Sequence, residues 1–165
     1  MTDNITLFLD SLFKVAKIHA DRLSTSVQHL QPKMPLSFQD VEAFTFDEML
    51  LWEMFVNRFS KLQDLMGAKI FKAVIDYAGE STDSTTLIDR INILEKLGII
   101  DDSAVWKDLR EMRNHLAHEY PDAPETVANY LNQAFSMTCV LMETLNRLEA
   151  FVETLRIKNK MAQKL

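Results

Sequence analysis

Apolar residues recur along this chain at steps of three and four, and polar breaks divide the pattern into five helical stretches. Over residues 3–30, Leu7, Phe8, Leu12, Val15, Ala16 and Leu23 predict a first amphipathic helix. Gln31-Pro32-Lys33-Met34-Pro35 ends it, because proline lacks an amide donor and restricts the residue before it. A linker follows to about Glu42. The second helix is long, roughly 44–77, and Phe55, Phe59, Leu62, Met66, Ile70, Val74 and Tyr77 form its stripe. Trp52, Val56 and Phe71 widen that stripe, so contact on more than one side is expected. Gly79 supplies the stop.

Glu80 to Thr85 reads as a polar loop, followed by a shorter helix from about Thr86 to Leu97 with Gly98 at its C-terminal end. Its apolar face is Leu87, Ile91, Leu94 and Leu97. Asp101 or Asp102 then caps a fourth helix with Val105, Leu109, Met112 and Leu116 on its inner face, and Pro121 is expected to end it. Asp122 and Glu125 have the spacing of a capping box for the last helix, which is expected to reach about Arg156. That helix has Tyr130, Leu131, Phe135, Val140, Leu141, Leu145, Leu148 and Phe151 to bury. The expected fold class is all-α: an antiparallel up-and-down bundle of four to five helices, in which short connections make sequence neighbours spatial neighbours.

Composition supports this and narrows the rest. The 165 residues fit one domain, 1–165, with 1–42 as N-terminal helix and linker and 157–165 as a frayed basic tail. Only 3 Gly and 4 Pro leave too few turn formers for a loop-rich β fold. Cys139 is alone, which excludes an intramolecular disulfide and a cysteine zinc cluster; its apolar helical setting predicts a buried thiol. No basic leader and no run of 18 apolar residues is present, so a cytoplasmic protein without a membrane span is expected. The net charge of −6 opposes general nucleic-acid binding, and no DNA partner is expected. Arg156, Lys158, Lys160 and Lys164 form the one basic cluster, in the tail.

Chemistry concentrates in Trp106 to Asp122, WKDLREMRNHLAHEYPD. Gly-rich phosphate loops, HExxH, GxSxG and paired cysteines are absent, and no metal or cofactor is expected. Arg113 can donate a planar fork of hydrogen bonds to a phosphate. His118, in what reads as the last helical turn, can exchange protons near neutrality. Asn114, four residues from His118 and on the same helical face, can orient either group. Arg110 and His115 are candidate accessory residues, His115 equally readable as a solvated neighbour. Arg113 and His118 lie about 140° apart around a regular helix, so one undistorted helix cannot aim both at one phosphate. Either the helix frays before Pro121, or two chains share the site about a two-fold axis. A bland alternative is that these groups only cap carbonyls and pair with Glu111 or Glu119.

The run Arg113-Asn114-x-x-Ala117-His118-x-Tyr120 resembles the R-x4-H-x-Y motif of the HEPN superfamily, especially HepT-like toxins and their relatives, the nucleotidyltransferase substrate-binding proteins. The motif spans eight residues, and the helical layout is similar over about 120. The resemblance implies a homodimeric, metal-independent endoribonuclease with Arg113, Asn114 and His118 as its catalytic set. It also implies a partner nucleotidyltransferase acting as antitoxin, which transfers AMP to Tyr120. On a regular helix Tyr120 would share the Arg113 face, so the added phosphate would repel substrate phosphate. The alternative is a non-catalytic HEPN module that serves a nucleotidyltransferase as its substrate-binding subunit.

Overall fold

The computed structural model describes residues 2–80, 86–118 and 122–162. Among these the chain is all-helical: α1 (Thr2–Leu30), α2 (Phe38–Glu42), α3 (Phe46–Leu65), α4 (Phe71–Tyr77), α5 (Leu87–Lys96), α6 (Ser103–Leu116) and α7 (Pro124–Ala162). No described helix is long and apolar enough to cross a membrane.

Helix α1 runs where the periodicity put it and buries Leu12, Ala16 and Leu23 as expected, but the buried stripe is completed by other residues than Leu7, Phe8 and Val15. Leu9, Leu12, Phe13, Ala16, Ala20 and Leu23 turn inward, whereas Leu7, Phe8 and Val15 are exposed. Both sets are spaced for a helix. The inner one carries Ala16 and Ala20, whose small side chains allow α3 to pack closely along α1. Arg58 of α3 sits 3.1 Å from Nδ1 of His19. Burial, and then the Arg58 charge, lower the His19 pKa, and the neutral ring is the form whose Nδ1 accepts from the guanidinium.

The linker is more ordered than its prolines suggested. It contains a short 3-10 turn, Gln31–Lys33, and then α2, capped by Ser37 with Asp40 in a reciprocal box. The Leu36 amide donates to Oδ1 of Asn132 at 2.8 Å, and Nδ2 of Asn132 donates to the Leu36 carbonyl at 2.9 Å, which fastens the linker to α7. Thr45 with Glu48 and Thr86 with Asp89 cap α3 and α5 in the same reciprocal manner.

The long second helix is interrupted by a π turn, Met66–Ile70, between α3 and α4. One extra residue is accommodated there, so burial passes from Phe55, Phe59, Leu62 and Met66 to the adjacent pair Ile70 and Phe71. Gly79 and Gly98, at φ of 85° and 73°, close α4 and α5. In each case the residue after the glycine donates back to the carbonyl five residues earlier: Glu80 to Ile75 at 3.2 Å, and Ile99 to Leu94 at 2.9 Å. The loop predicted at residues 80–85 lies, beyond Glu80, outside the described residues.

Two boundaries near the motif need correction. Asp102 caps α6, its carboxylate accepting from the Ala104 amide, as one of the two expected caps. The helix stops at Leu116, earlier than the Pro121 boundary. Helix α7 begins at Pro124, with the Ala123 carbonyl accepting the first helical bond from Val127, so Ala123 occupies the capping position rather than Asp122. Its predicted frayed tail is helical to Ala162, and Arg156 bonds Asp10 of α1 at 2.6 Å. Lys17 and Glu149 make a second α1–α7 pair at 3.1 Å. Cys139 is exposed, not buried, its thiol donating to the Ser136 carbonyl. The inner face of α7 instead uses small residues, Ala128, Ala134, Thr138 and Thr144, between its leucines. Tyr130, Phe135, Val140 and Phe151 are only half-buried.

Candidate functional site

Helix α6 carries the candidate residues and is held by its apolar face. Trp106, Leu109 and Met112 are buried, and Trp106 packs on Phe71 of α4 at 4.6 Å between ring centroids. The flank beside that face holds Arg110, with Arg113 and Asn114 three and four residues on. These three line one cleft of about 430 Å³ together with Gln63 and Asp64 of α3, the π turn, and Leu87 and Arg90 of α5. The π turn contributes Gly67 and Ala68 to the lining, and such turns are frequent at functional sites.

Arg113 is tied down within this cleft. Its Nη2 donates to Oδ2 of Asp64 at 2.6 Å, while its Nε is buried without a hydrogen-bond partner. Among the described residues the acidic partner of Arg113 is Asp64, 49 residues upstream, rather than Glu111; Glu119 lies outside the described residues. Arg110 is exposed on the same side.

The histidines line a second, separate cleft of about 510 Å³, with Trp52, Val56, Asn57 and Tyr130 among its other walls. His115 is half-buried, not a solvated neighbour. Its ring stacks on Tyr130 at 4.3 Å and 12°, and its Nε2 lies 3.7 Å from Glu111. His118 is exposed and sits in a turn just past the helix, its amide bonded to the His115 carbonyl at 3.1 Å. It is thus outside the last helical turn assigned to it.

The early end of α6 also separates Asn114 from His118. A shared face at four-residue spacing requires an α-helix through both, and past Leu116 the Ala117 and His118 amides bond back only three residues, to Asn114 and His115. Asn114 stays with Arg113, and His118 goes to the other cleft. Within one chain, Arg113 and His118 do not converge on a common point, even though the helix ends before Pro121. The argument that put Tyr120 on the Arg113 face fails with the same helix, and Tyr120 itself lies outside the described residues.

Sequence reasoning did not find Gln63, Asp64 or Arg90 beside Arg113, or Tyr130 against His115. None belongs to a local motif, and only the packing of α3, α5 and α7 around α6 brings them in. No protein-family model matches this sequence, and neither does any curated protein or solved structure.

Proposed function

We propose that this chain is a cytoplasmic HEPN-type helical bundle, up-and-down in topology, that acts as a homodimeric, metal-independent endoribonuclease. In this reading it is the HepT-like toxin of a pair and is silenced when a partner nucleotidyltransferase transfers AMP to Tyr120. The observation that carries the reading is the division of the motif between two clefts at the end of α6: Arg113 and Asn114 in one, His118 in the other. A second copy related by a two-fold axis through this region would set the guanidinium of one chain against the imidazole of the other, twice.

The chemistry then needs only these side chains and RNA. His118 takes the proton from a 2′-hydroxyl as its oxygen bonds to the neighbouring phosphorus. Arg113 donates to the phosphoryl oxygens as negative charge accumulates on them, and Asn114 orients the phosphate. The bond from phosphorus to the 5′-oxygen breaks, and that oxygen leaves with a proton from water. The Arg113 cleft brings Arg110 beside Arg113, whose Nη2 is bonded to Asp64. Purified protein is expected to cleave single-stranded RNA in the presence of a metal chelator. His118→Ala should lower that rate about 10²- to 10⁴-fold with the helical circular-dichroism signal unchanged. Metal-free RNA left intact by unmodified protein at micromolar concentration would end this reading.

One observation favours the second reading, a non-catalytic module that serves a nucleotidyltransferase as its substrate-binding subunit. Arg113 is already neutralised by Asp64, which suits a structural tie better than an open phosphate ligand. That reading expects no RNA cleavage, and co-purification with the transferase whether or not His118 is intact.

A further inference from the structure

We infer that His19 and Arg22 of α1, with Arg58 and Lys61 of α3, form a patch outside the Arg113 cleft that holds the phosphodiester backbone of single-stranded RNA. The assignment takes its ligand from the nuclease reading but stands on separate observations.

Local sequence does not reveal this patch, because His19 and Arg58 are 39 residues apart. The packing of α3 along α1 creates it. Arg22 follows His19 by one helical turn, and Lys61 follows Arg58 by one turn. Arg58 joins the two pairs, its Nη1 donating to Nδ1 of His19 at 3.1 Å. The electrostatics agree. After burial, the charges of Arg58, Lys61 and Arg22, in that order, hold the His19 pKa below its usual value, and no carboxylate among the described residues acts against them.

Like charges held together cost free energy unless something neutralises them. Arg22, Arg58 and Lys61 pair with no carboxylate among the described residues, whereas Lys17, Arg113, Arg147 and Arg156 each do. Arg22 and Lys61 alone would be ordinary solvated cations. Arg58 is not one. It is half-buried, its Nε is buried without a partner, and the side chain it bonds is a neutral ring rather than an anion. A guanidinium partly withdrawn from water without a counter-charge is matched by an anion from outside. In a chain of net charge −6, the patch also supplies the local positive surface that counterion release requires. Its position favours a nucleic-acid strand. Lys61 is one turn from Asp64, whose carboxylate is taken up by Arg113 at 2.6 Å. A strand with its reacting phosphate at Arg113 therefore meets Lys61 and then Arg58 as it continues across α3 toward α1.

The test is a binding titration with full-length protein carrying His118→Ala, so that the probe, a fluorescently labelled single-stranded RNA, survives. Adding Arg22→Ala and Lys61→Ala together is expected to weaken binding about tenfold. The slope of log affinity against log salt should fall by about 1.4, from two single-strand phosphate contacts at about 0.7 each. Both side chains are exposed, so this variant is expected to fold as its parent does. Lys158→Ala with Lys160→Ala removes the same charge from exposed positions near the end of α7 and should leave affinity and slope unchanged. Equal losses in the two double variants would overturn the patch by reducing the effect to net charge. Unchanged affinity and slope in the Arg22 and Lys61 variant would overturn it too, as would an absence of RNA binding. RNA that is held through Arg22 and Lys61 but never cut by wild-type protein would retain the patch and reject the nuclease. RNA cut by wild type, with the same KM when Arg22 and Lys61 are replaced, would do the reverse.

Discussion

Mixing Arg113→Ala chains with His118→Ala chains is expected to restore about one quarter of the wild-type RNA cleavage rate, although each variant alone is inactive. Random reassociation makes about half of the dimers mixed, and each mixed dimer holds one site with both groups intact and one with neither. The expectation follows from the placement of Arg113 and His118 in clefts that share no lining residue. A site contained in one chain would give no recovery at all, because every site in the mixture would lack one of the two groups. The readout is the initial rate after the two variants are unfolded together and refolded, against the same mass of wild type.

Removal of the Phe71 ring should have the largest effect on stability. Phe71→Ala is expected to cost about 3–5 kcal/mol, read as a lower urea midpoint. The side chain is fully buried immediately after the π turn, and it packs on Trp106, which is itself 1 % exposed. Deleting the ring opens a cavity against the Trp106 indole of α6. Phe8→Ala on the outer face of α1 is the control. Phe8 is 50 % exposed, so its removal should change stability by only about 0.5 kcal/mol. A loss below about 1 kcal/mol for Phe71→Ala would mean that α6 is not anchored through this pair.

Periodicity made most of the helices legible, with the limits set by where two readings were chemically equal. Helix α5 appears from its Thr86 cap to Gly98 as expected, because a β-region cap and a positive-φ glycine are local requirements. On α1, by contrast, two apolar stripes compete, and only the presence of α3 decides that Leu9 and Phe13 go inside while Leu7 and Phe8 do not. The π turn was invisible, since the helical spacing of apolar residues continues through it. Helix α2 is only five residues long, too short to show a periodic apolar stripe, and the Ser37–Asp40 capping box is its one local signal in the sequence.

The candidate site was legible as a list of residues and not as an arrangement. Arg113, Asn114 and His118 stand out because their types cluster in an otherwise ordinary amphipathic helix. Their mutual geometry depended on where α6 ends, and extending it to Pro121 placed Asn114 with His118 and Tyr120 with Arg113. Asp64 and Gln63 could not be read from sequence, since their role comes from contacts across about 50 residues of chain.

Cross-linking between chains tests the shared cleft most directly. Arg113→Cys is placed in one tagged chain and His118→Cys in another, both carrying Cys139→Ser because the native thiol is exposed. A short bifunctional thiol reagent should then join the two different chains into a species of twice the 19.1 kDa chain mass. Chains that remain at 19.1 kDa, or that pair without becoming linked, would contradict the composite site.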